Sequence, residues 1–286
     1  MKVLVAGGDG QLGRGLVRRG PAAGVEVVAL GRAALDVTDG DSVARALAAH
    51  APAAVIGAAG FTHVDRAELA PRQARAVNER GAELLAIACA ARSIPLVYVS
   101  TDHVFDGRAS RPYREDDPVA PVNTYGATKA AGERAVRAAG GTVARTAWLF
   151  GACGPSFVHA IAAQARSQRR LRVVADQHGS PTWVDDLADA LLALVRCRPA
   201  VDIVHLCGEG PASRHELAVA VVDELRRHGA AACEAVDAVA TAELVPCAPR
   251  PAYAVLDTGR ARALGLPIRP WRDGLRTLVA QELALP

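Results

Sequence analysis

Short apolar runs and longer amphipathic stretches alternate from the first residues of the chain, and this rhythm predicts a parallel sheet covered by helices on both faces. Val3 to Ala6 is an uninterrupted apolar run, the pattern of a strand buried on both sides. Leu12 to Arg19 predicts a helix, Val25 to Leu30 a second strand, and Ser42 to His50 a helix that Pro52 stops. Ala53 to Ala59 is the third strand. Between Glu79 and Arg92, the residues Leu84, Leu85, Ala88 and Ala91 share one helical stripe, and Leu96 to Ser100 follows Pro95 as the fourth strand. A helix from about Tyr125 to Ala139 ends at Gly140-Gly141, and Thr142 to Phe150 returns as a strand.

Two stretches interrupt the rhythm. Residues 106–124 are rich in proline, glycine and charge without a sustained period, which predicts a surface loop long enough to be functional. Gly151, Gly154 and Pro155 mark a change of composition. Beyond them the pattern predicts a helix over Phe157 to Ser167, a strand over Leu171 to Ala175, a helix over Val184 to Val195, a strand over Asp202 to Leu206, and further helices from Ser213.

The 286 residues are 51% hydrophobic and 22% charged, enough to bury a sizeable core, and the 4% of aromatics make that core aliphatic. Thirty-three basic against 30 acidic side chains leave a formal charge of +3, too small to point to nucleic acid or an anionic membrane as partner. No apolar run reaches membrane-spanning length and the start lacks a signal peptide, so a cytoplasmic protein is expected. The six cysteines form no C-x-x-C pair and no zinc-finger spacing, and are read as reduced packing thiols.

Glycines at 7, 10 and 13 follow the first strand and open a helix, in the run Gly7-Gly8-Asp9-Gly10-Gln11-Leu12-Gly13. A turn without Cβ atoms lets backbone amides and the positive helix end meet a pyrophosphate, which assigns this run to dinucleotide binding. The expected fold class is therefore α/β, a Rossmann-type doubly wound parallel sheet with a smaller C-terminal substrate-binding lobe. Residues 1–150 form the NADP-binding domain, to which the segment of about 183–206 returns; 151–182 and 207–286 form the lobe. After the second strand stands Gly31-Arg32, where an NAD enzyme carries an acidic residue for the ribose 2′-hydroxyl. Arg32 favours a 2′-phosphate, hence NADPH with NADH as the lesser alternative, against the plainer reading of a solvated loop residue. Asp36 and Val37 fall where the adenine would lie; a turn or cap is the other role open to Asp36.

Tyr125 and Lys129 stand four apart on one helical face. An ammonium beside a phenol stabilises its phenolate and brings its pKa toward the working range, and Lys129 can also hold ribose hydroxyls. Thr101, at the carboxyl end of the fourth strand, can donate a hydrogen bond to a carbonyl oxygen. With these residues the chain resembles the dTDP-4-dehydrorhamnose reductase family of the extended short-chain dehydrogenases/reductases. The resemblance runs through Ala58 to Glu68, through Tyr98-Val99-Ser100-Thr101-Asp102-His103-Val104-Phe105-Asp106-Gly107, through Tyr125-Gly126-Ala127-Thr128-Lys129 and Arg145 to Trp148, and through Asp176 to Thr182, Arg250-Pro251 and Leu256-Asp257.

The resemblance implies an NADPH-dependent reductase of the C4 ketone of a dTDP-linked ketosugar, dTDP-4-dehydro-L-rhamnose first among them. Reduction of another dTDP-ketosugar, or a non-catalytic regulatory subunit that keeps the fold, is the alternative. It makes Thr101, Tyr125 and Lys129 the catalytic set and lines the cofactor with Ala58, Ala59 and Ser100. Asp102, His103, Trp148, Gln177 and Arg250 face the nucleotide sugar; for the last three the plainer readings are a core indole, a loop amide and a surface guanidinium. Gly57, Ala254 and Ser156 depart from the family pattern and touch sugar specificity. Gly15 stands where some members carry an acidic metal ligand, so no metal is carried over. A homodimer is the assembly expected if the chain self-associates.

Overall fold

The computed structural model describes residues 1–244 and 247–283; residues 284–286 at the end of the expected lobe lie outside the described residues. Strand β1 (Lys2–Ala6) is wholly buried from Val3 to Ala6, as a continuous apolar run demands. It leads through helix α1 (Gln11–Arg19) to β2 (Glu26–Leu30). The chain then crosses the sheet to β3 (Ala54–Gly57), β4 (Leu96–Thr101) and β5 (Thr142–Thr146). A late strand, Ile203–His205, pairs with β5, Val204 opposite Ala144. Every ladder in this six-stranded sheet is parallel, and the spatial order is β2, β1, β3, β4, β5, then Ile203–His205. The strand order reverses between β1 and β3, and ligands of such sheets bind at the carboxyl edge near that reversal.

Helices cover both faces. On one, Leu12 and Leu16 of α1 interlock with Leu187, Leu191 and Leu194 of the helix Val184–Cys197. On the other, Val43 and Leu47 meet Leu85 and Ala86 of the helix Gly81–Ala90. A separate apolar cluster lies in the later residues, where the helices Phe157–Ser167, Arg214–Arg227 and Trp271–Leu278 pack on a parallel pair, Arg170–Val174 and Ala235–Val239. Burying a large aliphatic side chain contributes roughly 1.5 to 3 kcal/mol, so each cluster is a core in its own right.

The fold corrects two local expectations. Thr142 to Phe150 is not one strand: the main-sheet strand ends at Thr146, Trp148 takes a left-handed φ of +45°, and Leu149–Phe150 pairs instead with Thr182–Trp183. The helix expected from Glu79 begins earlier, as a π-helical segment, Ala76–Arg80, running into Gly81–Ala90. Such segments insert one extra residue per turn and gather at functional sites.

Candidate active site

The turn between β1 and α1 is shaped by close backbone approach. Gly7 has φ +99°, and a Cβ there would lie 2.6 Å from the Ala59 backbone nitrogen. A Cβ on Gly13 would lie 2.5 Å from the Gly7 carbonyl oxygen. The Gly7 and Gly8 amides donate to the Leu30 carbonyl at 3.0 and 2.8 Å, which pins the turn onto the end of β2. Gly10 caps α1 without a side-chain hydrogen bond, so the first-turn amides and the positive helix end are left for an anion. These residues fit a dinucleotide pyrophosphate.

The turn forms one end of a cleft of about 610 Å³ along the carboxyl edge of the sheet. Every residue assigned to the cofactor from sequence, from Gly7 through Arg32 to Lys129, lies in its wall, together with Thr101, Asp102, His103 and Trp148. Arg32 is exposed and pairs with Asp36 at 3.4 Å. Asp36 also accepts from the Thr38 amide and hydroxyl at 2.9 and 2.7 Å, bonds that hold its carboxyl below the usual range, so it caps this turn as well as lining the cleft.

At the centre, Thr101 donates to Asp102 Oδ1 at 2.9 Å and accepts from the His103 amide at 3.2 Å, so β4 turns sharply at its end. Asn123 caps the next helix, Thr124–Ala138, by accepting from the Gly126 amide at 2.8 Å. That bond fixes the Asn123 amide, whose Nδ2 faces His103 Nδ1 at 3.0 Å. Burial lowers the His103 pKa, and the neutral ring accepts from Asn123.

Lys129 is buried and donates to the Tyr98 hydroxyl at 2.6 Å and the Val99 carbonyl at 2.7 Å. Burial depresses its pKa to about 7, with Glu133 one turn on acting in the opposite sense. Burial also pushes Tyr125 up to about 12, against the Thr101 hydroxyl and with the Asp102 charge. In this structure the Lys129 ammonium is directed at Tyr98, and the net shift on the Tyr125 phenol is upward, where the sequence predicts a shift toward the working range. A phenol so raised is held protonated, the form a proton donor needs.

At the far end stands Trp148. Its strained backbone aims the indole into the cleft, and a Cβ on Gly179 would lie 2.4 Å from indole Cε2. The Arg214 guanidinium lies 3.5 Å above the ring. Burial brings the Arg214 pKa down to about 10, opposed by Asp102, and Arg214 lines the cleft.

Two residues assigned to the sugar from sequence have protein partners in this structure. Gln177 is not in the cleft wall: its amide donates to Thr241 Oγ1 at 3.0 Å, and only its carbonyl serves the site, accepting from the Arg214 amide at 3.1 Å. Arg250 is held by Asp65 at 2.8 Å and the Ala248 carbonyl at 2.9 Å, near enough for its charge to act on His103 and Arg214 of the cleft wall. Both segments approach the cleft, but their side chains already have protein partners.

Sequence reasoning missed Arg214, Tyr98 and Asn78. Arg214 is the first residue of a helix whose Ser213 and Glu216 form a capping box. A cation at a helix N-terminus is disfavoured by the dipole, and that misfit was the available signal. Asn78, in the π-helical segment, accepts from the Phe61 amide at 2.8 Å and donates to Thr128 at 3.1 Å, while its carbonyl accepts from Tyr98 at 2.9 Å. Nothing in the local pattern announced it. Of the departures, Ser156 accepts from the His159 amide and caps its helix. A Cβ on Gly15 would lie 2.4 Å from Val184 Cγ1, so any side chain there requires the Val184 side chain to move. Among the described residues, no three His, Cys, Asp or Glu side chains are grouped to hold a metal ion.

The family model described as RmlD substrate binding domain matches residues 1–284. A dTDP-4-dehydrorhamnose reductase of Streptomyces griseus is 44% identical over 280 residues, covering 95% of this chain and 91% of the relative. The chain belongs to the dTDP-4-dehydrorhamnose reductase family. Another relative, a dTDP-4-keto-6-deoxy-D-glucose reductase of Streptomyces niveus, is 40% identical over 277 residues, covering 95% and 94%. Among solved structures, a dTDP-4-dehydrorhamnose reductase of Bacillus anthracis in complex with NADP superposes with a TM-score of 0.91 at 31% identity, covering 98% of this chain and 99% of that one. The family's parallel-sheet architecture is the one the alternation of apolar runs predicts.

Proposed function

We propose that the chain reduces the C4 ketone of a dTDP-4-keto-6-deoxysugar, dTDP-4-dehydro-L-rhamnose to dTDP-L-rhamnose, using NADPH. One observation carries this reading: a single cleft joins the glycine turn, the Thr101–Tyr125–Lys129 set and the Trp148–Arg214 stack. When bound, the nicotinamide supplies hydride to C4. Residues 1–150 with about 183–206 hold the cofactor, and 151–182 with 207–286 contribute the sugar end. Tyr125 gives its proton to the developing alkoxide, and Thr101 hydrogen-bonds the same oxygen. Lys129, held between Tyr98 and Val99, offers a buried cation to the cofactor ribose. Trp148 walls the pyranose, and Arg214 meets the diphosphate with Asp102 and His103 beside it.

Elimination, which needs an acid and base pair beside the threonine, is disfavoured because Thr101 is followed by Asp102 and His103, and His103 is committed to Asn123. Reduction of a different dTDP-ketosugar is the second reading, favoured by the Streptomyces niveus relative. A non-catalytic role is opposed by the presence of all three catalytic groups in one cleft. No helix among the described residues is long and apolar enough to cross a membrane. We place the reaction in the cytoplasm, which the free state of the six cysteines supports. Homodimer formation is part of the proposal and is read from sedimentation of the purified chain.

The test follows NADPH absorbance with a panel of dTDP-4-ketosugars. Fast consumption with dTDP-4-dehydrorhamnose supports the first reading and consumption with another sugar alone supports the second. Cofactor binding with no consumption supports the regulatory subunit.

A further inference from the structure

The second strand ends at Leu30 and is followed by Gly31-Arg32, without the carboxylate that reads a ribose 2′-hydroxyl, yet the structure brings a carboxylate to that place from elsewhere. Asp9, in the glycine turn, folds over the end of β2. A Cβ built on Gly31 would lie 2.1 Å from Asp9 Oδ2 and 2.4 Å from Asp9 Oδ1, so the Asp9 carboxyl fills the space a side chain at 31 would take. The turn cannot slide away, because the Gly7 and Gly8 amides are bonded to the Leu30 carbonyl. Asp9 is exposed to the cleft and lines it with Arg32 and Asp36. Arg32 is shared with Asp36 at 3.4 Å, so this corner holds two carboxylates and one guanidinium.

We infer that Asp9 is the residue that reads the cofactor 2′-position, accepting the hydrogen bond of an unphosphorylated ribose and opposing a 2′-phosphate that Arg32 attracts. This rests on the reading of the cleft as a dinucleotide site and refines the expectation from Arg32 alone. The chain then binds NADH as well as NADPH, and the balance between Asp9 and Arg32 sets the ratio. A side chain at position 31 would expel the Asp9 carboxyl from this place.

Calorimetric titration with NADH and with NADPH, no sugar present, tests this on the purified chain. Hydrogen bonds to a charged partner are worth a factor of about 10 or more in affinity, so Asp9→Asn should raise the ratio Kd(NADH)/Kd(NADPH) about 10-fold. Arg32→Ala should lower the same ratio by about 10-fold. Asp9→Ala, which removes the acceptor altogether, should raise it further. Both positions are exposed, so unchanged circular dichroism is the expected control. A ratio that Asp9→Asn and Asp9→Ala leave unmoved overturns the inference while the cofactor reading stands. An unmodified chain that binds neither nucleotide removes the cofactor reading and this inference with it.

Discussion

The two ends of the cleft are built on different principles. The cofactor end is made mostly of backbone: Gly7, Gly13 and the first turn of α1 form it within seven consecutive residues, and the neighbouring strands β2 and β3 only brace it. The other end, which we propose takes the sugar, is made of side chains from segments far apart, with Trp148 wedged between Gly179 and Arg214. A backbone cradle tolerates no Cβ but is indifferent to most surrounding residues. A side-chain wall depends on each member and on the strain that aims it.

The contrast is broken most severely at the point where the two ends meet. Tyr125→Phe keeps the ring and removes the proton, so turnover should fall by about 10² to 10⁴ while cofactor and sugar still bind. Single-turnover kinetics together with equilibrium binding separate the two effects. An unchanged rate would assign the proton to another group.

The next effect is confined to the sugar end. Arg214→Ala removes a guanidinium stacked on Trp148 and should lower kcat/KM for the dTDP-sugar by about 10- to 100-fold. Gly179→Val pushes on the indole directly and should act in the same direction. Neither should move the affinity for NADPH, because neither residue belongs to the glycine turn. Loss of cofactor binding in Arg214→Ala would show that the two ends are not separable.

The same contrast explains what was legible in the sequence. The glycine turn, the strand alternation and the Tyr125–Lys129 pair are local patterns, and each lies where its spacing put it. Arg214, Asp9 and Tyr98 acquire their surroundings through tertiary contacts that no local period encodes. Gln177 and Arg250 sit in distinctive strings near the cleft, and their side chains are bonded to Thr241 and Asp65, although the Arg250 charge still reaches His103 and Arg214 in the cleft wall. Trp148 was legible as a residue, whereas the break it makes in the strand was not, since a left-handed tryptophan has no signature in an apolar run.

A smaller effect concerns protonation at the centre. On the proposed roles, turnover and cofactor affinity depend on the Lys129 ammonium, and its folded pKa of about 7 places their loss as pH rises through that value. The linkage to stability has the opposite sign. Between about 7 and the ordinary lysine value the unfolded chain binds the extra proton, so Lys129 disfavours folding below pH 7 and this penalty fades as pH rises. Tyr98→Phe removes one of the two hydrogen-bond acceptors of the ammonium, and should move the descending limb of the rate profile down by about half a unit to one unit. A limb that stays in place would make Tyr98 a packing residue.

The smallest effect concerns Arg250, which the resemblance gives to the nucleotide sugar and the structure pairs with Asp65. Were Arg250 a diphosphate ligand, Arg250→Ala would cost as much as Arg214→Ala. In the structure its guanidinium is held by Asp65, which is about half exposed, and by the Ala248 carbonyl, outside the cleft wall. An ion pair this open to solvent is worth about 1 kcal/mol or less, so KM for the sugar should rise by no more than about 5-fold, with NADPH affinity unchanged. Asp65→Ala frees Arg250 from its partner. If Arg250 is an idle reserve of charge at the rim, that variant should leave KM equal or lower it, and if the pair only ties the 248–250 segment to the 64–69 helix, both variants should lower thermal stability alike. A rise in KM with Arg250→Ala that matches Arg214→Ala would assign Arg250 to the sugar, as the sequence resemblance implies, and make its pairing with Asp65 a resting arrangement.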